Sequence, residues 1–253
     1  MKNVTTALLF LSHSLLLQAQ DQLNDTTKIH GTTSISGLLQ SGNENRFVVS
    51  LLSDLNIGNR NYEILPLTSV AYSSKPHAQV EGEYLENVII RFQQEHLFYP
   101  AAGLSFERSL LRKIDDRFSI GVTLVCNLLN SNNQTIKLGL GVNEEYTRYS
   151  SHAFADEALY GVNYRRKVEQ AYARLKGKNY LLKKMLALSY DFFFQPNITQ
   201  ISDYRWTLIG NIDILLNNRF SFRTSAVDSY EAFTAAAVQH NNFRLTFGLN
   251  LTF

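Results

Sequence analysis

Cysteine, tryptophan and proline are scarce in this chain: one Cys, one Trp and four Pro stand against 16 Phe and 13 Tyr. The single cysteine, Cys126, excludes an intramolecular disulfide. It shares its parity with Val122 and Leu124 in an apolar run and has no histidine near it in sequence, so it reads as a packing or lipid-facing thiol rather than a nucleophile. An excess of one charge is missing as well. The 24 Lys and Arg and 22 Asp and Glu are intermixed, the net charge is +2 and no basic stripe appears, which excludes a nucleic-acid partner. Beyond the N-terminus no apolar run reaches the roughly 20 residues of a membrane-spanning helix. If the chain sits in a membrane, it spans as a barrel.

Motifs for chemistry are equally sparse. No His, Cys, Asp and Glu cluster has zinc-ligand spacing, and Asp115-Asp116 and Glu144-Glu145 are isolated pairs, so no metal is expected. Asp115-Asp116 could hold Ca²⁺ in a surface loop, but a solvated loop is the better reading. Gly139-Leu140-Gly141 lies inside a strand pattern with no helix after it and forms no phosphate loop. The histidines after residue 20 are His30, His77, His96, His152 and His240, most of them in loops or at strand ends. Only His96 reads as lying within a strand, close to a turn. With no base and orienting group beside a nucleophile, neither a catalytic residue nor a cofactor is expected.

The N-terminus reads as a secretory signal over residues 1–19. Met1-Lys2-Asn3 supplies a positive start, Ala7 to Leu17 a short apolar core and Leu17-Gln18-Ala19-Gln20 the cleavage region. The alternative is a buried N-terminal helix. Residues 20–30 form a short polar segment, and residues 31–253 one barrel domain.

What the chain does have is alternation. In the stretch from Asn241 to Phe253, Phe243, Leu245, Phe247, Leu249, Leu251 and Phe253 share one parity, while Arg244, Thr246, Gly248, Asn250 and Thr252 share the other. Successive side chains of a strand point to opposite faces, so one face is wholly apolar and the other polar or small. Phe253 then reads as a C-terminal aromatic assembly signal. The same pattern returns upstream, as in Phe118, Ile120, Val122, Leu124, Cys126 and Leu128, and in Tyr204, Trp206, Leu208, Ile212 and Ile214. Turn chemistry separates these runs at Ser41-Gly42-Asn43, Gly58-Asn59-Arg60-Asn61, Asn130 to Asn133, Lys176 to Asn179 and Asn217-Asn218. The tally is about twelve strands with alternating short and longer connections. This predicts an all-β fold, a single closed transmembrane antiparallel β-barrel with both termini periplasmic.

Three stretches are irregular. Pro66 removes a ladder hydrogen bond, and a bulge is expected there. Tyr84 to Leu97 reads as one strand with a turn near Tyr99-Pro100. Leu159 to Leu175 has Val162, Tyr164, Val168 and Tyr172 outward, and a helix is its alternative.

Gly37 to Asn43, Leu138 to Tyr146, Asp203-Tyr204-Arg205 and Leu245 to Phe253 together resemble the salt-induced outer-membrane protein family, domain of unknown function 481. The resemblance implies an outer-membrane barrel and supplies no catalytic residue. With the N-terminal signal, the expectation is export to the outer membrane of a Gram-negative bacterium, contact with outer-membrane lipid and insertion by the β-barrel assembly machinery. If the apolar faces meet lipid, the lumen candidates are Arg46, Asp54, Glu63, Arg91, Glu95, Glu107, Arg117, Lys137, Glu145, Arg165, Lys167, Glu169, Lys183, Asp191, Asp203, Arg205, Asp213, Arg223 and Arg244. Both signs occur on adjacent strands. A pore built for one class of ion carries a biased ring of charge, so this mixture favours an ion-paired, partly filled interior. The function classes left open are a non-enzymatic barrel, either structural or passing small solutes, a lipid hydrolase using His96, and a soluble periplasmic binder.

Overall fold

The computed structural model describes residues 28–40, 46–75, 78–150, 165–236 and 238–253. Twelve strands follow one another: β1 (Lys28–Gln40), β2 (Arg46–Gly58), β3 (Tyr62–Lys75), β4 (Ala78–Phe92), β5 (Phe98–Ser109), β6 (Ile114–Asn130), β7 (Gln134–Tyr149), β8 (Arg165–Leu181), β9 (Leu186–Pro196), β10 (Tyr204–Leu215), β11 (Phe220–Glu231) and β12 (Asn241–Thr252). Each pairs antiparallel with its neighbours in sequence, and β12 returns to β1 to close the ring, from Thr32↔Thr252 to Gly37↔Phe247. Gly31 and Phe253 exchange two backbone hydrogen bonds of 2.9 Å at that seam. Closure leaves no unpaired sheet edge.

Burial runs opposite to that of a soluble domain. Val122 is 60% exposed and Leu140 57%, while Arg117 is 3% and Glu145 1% exposed. Apolar side chains therefore cover the outside, and charged ones fill the inside. One stretch of the outer wall departs from this. Thr33, Ser53, Thr68 and Glu86 are register partners in turn across β1, β2, β3 and β4, all on the outward parity. Tyr84 donates its hydroxyl to the Glu86 carboxylate on that face.

One end of the barrel, the turn end, carries Lys28, Phe253 and the tight connections. Asn59 Oδ1 accepts the amides of Asn61 and Tyr62 at 2.9 and 3.2 Å, and Asn217 Oδ1 those of Arg219 and Phe220 at 2.8 and 2.9 Å. Such local side-chain bonds are what make Asn a turn residue. The other end, the loop end, carries the connections after β1, β3, β5, β7, β9 and β11.

Several boundaries differ from the sequence reading. Lys28, Ile29 and His30, assigned to a polar lead-in, pair with Gly58, Ile57 and Asn56. Pro66 causes no bulge: pairing to β2 lapses at Leu65 and Pro66 and resumes at Asp54↔Leu67 in the same register, while Pro66↔Val88 holds the β4 side. The missing N–H thus costs one ladder bond without shifting the strand. The expected strand to Leu97 ends at Phe92. Residues 93–97 are the turn that places His96 outside any strand, and Tyr99 and Pro100 lie in β5. Residues 165–181 are strand, not helix, whereas 1–27 and the Leu159 to Tyr164 segment fall outside the described residues.

Candidate functional site

The alternation that turns apolar side chains outward sets a column of charges inside the barrel. Near the loop end Arg117 of β6 is its hub. Arg117 Nη1 reaches Glu231 Oε1 at 2.7 Å and Glu107 Oε2 at 3.2 Å, and its Nη2 reaches Glu231 Oε2 at 3.1 Å. Its Nε lies 3.4 Å from Glu145 Oε1 and 3.2 Å from Thr147 Oγ1. Arg112, in the turn between β5 and β6, pairs with Glu107 and places Nη1 3.0 Å from Glu231 Oε1. Burial opposes the charge of Arg112, but the Glu107 and Glu231 carboxylates outweigh it and raise the guanidinium pKa. Arg205 Nη1 is 2.6 Å from Glu145 Oε2, Arg166 pairs with Asp203, and Arg244 Nη1 is 2.8 Å from Glu83 Oε2.

Glu231 ends β11, and Arg117 sits on β6, across the ring from it with β7 to β10 between. Arg244 of β12 and Glu83 of β4 are likewise apart in the ring, with β1 to β3 between. These pairs therefore bridge the lumen, and do not merely line it. The loop from 232 to 240 adds to the closure: Phe233 and Ala235 are buried against Ile114 and Tyr149, and Lys113 Nζ donates to the Ala236 carbonyl at 2.8 Å. The guanidinium of Arg166 lies 4.6 Å from the Phe233 ring centroid.

Toward the turn end the ion pairs are separate, each of one arginine and one carboxylate. Arg91 meets Glu63 at 3.0 Å, Arg174 holds Asp191 through contacts of 2.8 and 2.5 Å, and Arg223 holds Asp213 at 2.6 and 2.9 Å. Lys137 Nζ lies 5.7 Å from the Tyr99 ring centroid, and Lys176 is its register partner on β8. A cavity of about 730 Å³ opens at this end, lined by Lys28, His30, Asn56, Asn61, Glu63 and Gln94 among others.

Several lumen candidates need correction. In β8 the faces are exchanged: Arg165, Lys167 and Glu169 are exposed on the outside, with Lys167 paired to Glu144 at 3.0 Å, whereas Val168 and Gln170 are buried within. Charge occupies both parities of this strand, so alternation could not say which face was polar. Glu95 lies in the turn after β4, an exposed partner of Arg60 at 3.7 Å, because the strand ends earlier than its pattern suggests. Lys183 is exposed in a single 3₁₀ turn, Leu182–Lys184. The side chain of Arg46 is outside the described part of the structure. Asp54 lies half-buried on the inward parity opposite Thr32. Sequence reasoning missed Glu83, Arg112, Arg166, Arg174, Lys176 and Glu231. The even-parity run Arg166, Gln170, Arg174, Lys176 was a signal for three of them.

Among the described residues no group of three or more His, Cys, Asp or Glu is placed to hold a metal ion. His96, the residue of the hydrolase alternative, lends its backbone carbonyl to Asn127 Nδ2 at 2.7 Å in its turn.

A closed antiparallel ring with an apolar exterior and a charged interior defines the chain as an outer-membrane-type β-barrel. It belongs to the family described as protein of unknown function, DUF481, whose model matches residues 33–253. Among solved structures, the NanC porin superposes with a TM-score of 0.51 at 6% identity, covering 88% of this chain and 98% of that one. An outer membrane channel from Pseudomonas putida F1 gives 0.48 at 10% identity, covering 91% and 97%, and the translocator domain of the autotransporter NalP from Neisseria meningitidis 0.47 at 12%, covering 99% and 98%. No curated protein matched the chain.

Proposed function

We propose that this protein is a non-enzymatic outer-membrane barrel, both chain ends periplasmic, that provides a narrow passive path for ions and small solutes. Export by the N-terminal signal and insertion by the β-barrel assembly machinery complete this reading. The observation that carries it is the inverted burial, which fits hydrocarbon outside and water or paired charge inside. The fold likeness to the NanC porin supports the channel element. The Arg112 and Arg117 bridge to Glu231 crosses the lumen near the loop end, and it favours a second reading, a closed structural barrel. Planar-bilayer recording of the full chain separates the two. Discrete small openings are expected; their complete absence removes the channel and leaves the structural barrel.

Lipid contact itself makes a prediction at Glu86. A carboxylate on the hydrocarbon face costs less than the ~2–4 kcal/mol of a midplane Arg or Lys, but it still costs. Glu86→Leu is expected to stabilise the folded barrel by roughly 1–2 kcal/mol in urea titrations in lipid vesicles. A destabilised Glu86→Leu barrel means that this wall does not face lipid.

A further inference from the structure

The inner wall toward the turn end carries hydrogen-bond donors that no acceptor meets. Lys137 of β7 and Lys176 of β8 stand directly opposite each other on the inward parity. Ammonium groups are donors only, yet among the described residues neither reaches a carboxylate in an ion pair. Tyr99 is 0% exposed, and its hydroxyl, also a donor, has no hydrogen-bond partner. Lys137 Nζ sits over that same ring. Buried polar groups are almost always paired, so the Tyr99 hydroxyl, with two half-buried lysines on the same wall, calls for an acceptor.

The nearby carboxylates do not supply it. Glu63 is committed to Arg91 and Asp191 to Arg174. Asp54 lies within electrostatic range of Lys176 but not in contact with it. Arg91 and Arg174 thus bring their own counterions, and with Asp54 set against the two lysines one positive charge is left over. Glu63, which holds Arg91, lines the cavity of about 730 Å³ that opens at the turn end, and the two lysines lie further in, beyond that lining. An anion entering there meets the lysines before it meets the balanced network at the loop end.

We infer that Lys137 and Lys176, with the Tyr99 hydroxyl, form a binding site for a small oxyanion, a carboxylate or a phosphate, reached from the turn end of the barrel. The site names the solute class of the proposed path, and it rests on that reading only for its passage onward. The neutral polar change K137Q/K176Q removes both charges and their mutual repulsion, so the barrel is expected to fold; heat-dependent gel mobility checks this.

Calorimetric titration of the full-length protein in detergent with inorganic phosphate, and separately with gluconate, reads the site directly. Saturable binding is expected for at least one probe, weakened tenfold or more in K137Q/K176Q and retained in K137R. Binding of phosphate alone assigns phosphorylated solutes, and of gluconate alone carboxylated ones. No saturable binding by either, or equal affinity in the double variant, overturns the site. Binding without bilayer openings removes the channel reading and leaves the site standing.

Discussion

Replacing Glu231 with glutamine is expected to lower the stability of the barrel by about 3–5 kcal/mol, the usual loss when one member of a buried ion pair is removed. Glu231 takes two guanidiniums at once, Arg112 at 3.0 Å and Arg117 at 2.7 and 3.1 Å, and the Arg117 side chain is only 4% exposed. Without its charge the two arginines share Glu107, helped only by Glu145, which also serves Arg205, and by Glu83, 3.9 Å from Arg112 and also paired with Arg244. Repulsion then pushes the β5–β6 turn away from β11, at the level where the lumen is bridged. Two readouts follow. The urea midpoint of folding into vesicles falls, and single-channel current, if present in the wild type, rises. Glu95→Gln is the matched control: its exposed pair with Arg60 contributes ~0–1 kcal/mol at most. Equal midpoints for the two variants would mean that the cross-lumen bridge holds nothing together.

That bridge also shows where sequence reasoning stops. The number of strands and most of their faces were legible, because period two survives in β5, β6, β7, β9, β10 and β12 and turn-forming residues punctuate it. In β12 every apolar residue from Phe243 to Leu251 lies on the exposed side and Thr246 and Asn250 on the buried side. In β8 the pattern fails for a physical reason. Its first half carries Arg165, Lys167 and Glu169 outside and Arg166 and Gln170 inside, so both faces are polar, and Val168 and Tyr172 looked like lipid anchors when they lie within. The partners of the interior charges were not legible at all. Arg117 and Glu231 are 114 residues apart, and only ring closure brings their walls together. Nothing local to Phe233 announced that its loop folds back over the mouth.

Closure itself rests on one thin contact, and Gly248→Ala is expected to weaken it. Every other neighbouring pair is formed by strands consecutive in the chain; β1 and β12 alone are not. At that seam a Cβ on Gly248 would lie 2.1 Å from the Ile35 carbonyl oxygen and 2.6 Å from Ser36 Cα. Both are backbone atoms of β1, so the clash is relieved only by moving the strands apart. Overpacking of this kind costs about 1–3 kcal/mol, and here it acts where no turn limits the separation. Gly210 of β10 provides the comparison, since a Cβ there meets nothing within 4 Å. Gly210→Ala is expected to be neutral or slightly stabilising, because alanine restricts the unfolded chain more than glycine does. Gly141→Ala lies between them: its Cβ would stand 2.1 Å from the Val122 carbonyl oxygen, but the β6–β7 turn holds that pair together. The order of urea midpoints should therefore be Gly210→Ala highest, then Gly141→Ala, then Gly248→Ala, with the last also losing heat-resistant gel mobility. If Gly248→Ala matches Gly210→Ala, the seam has slack, and the ring is held shut by the interior ion pairs instead of by the fit of its first and last strands.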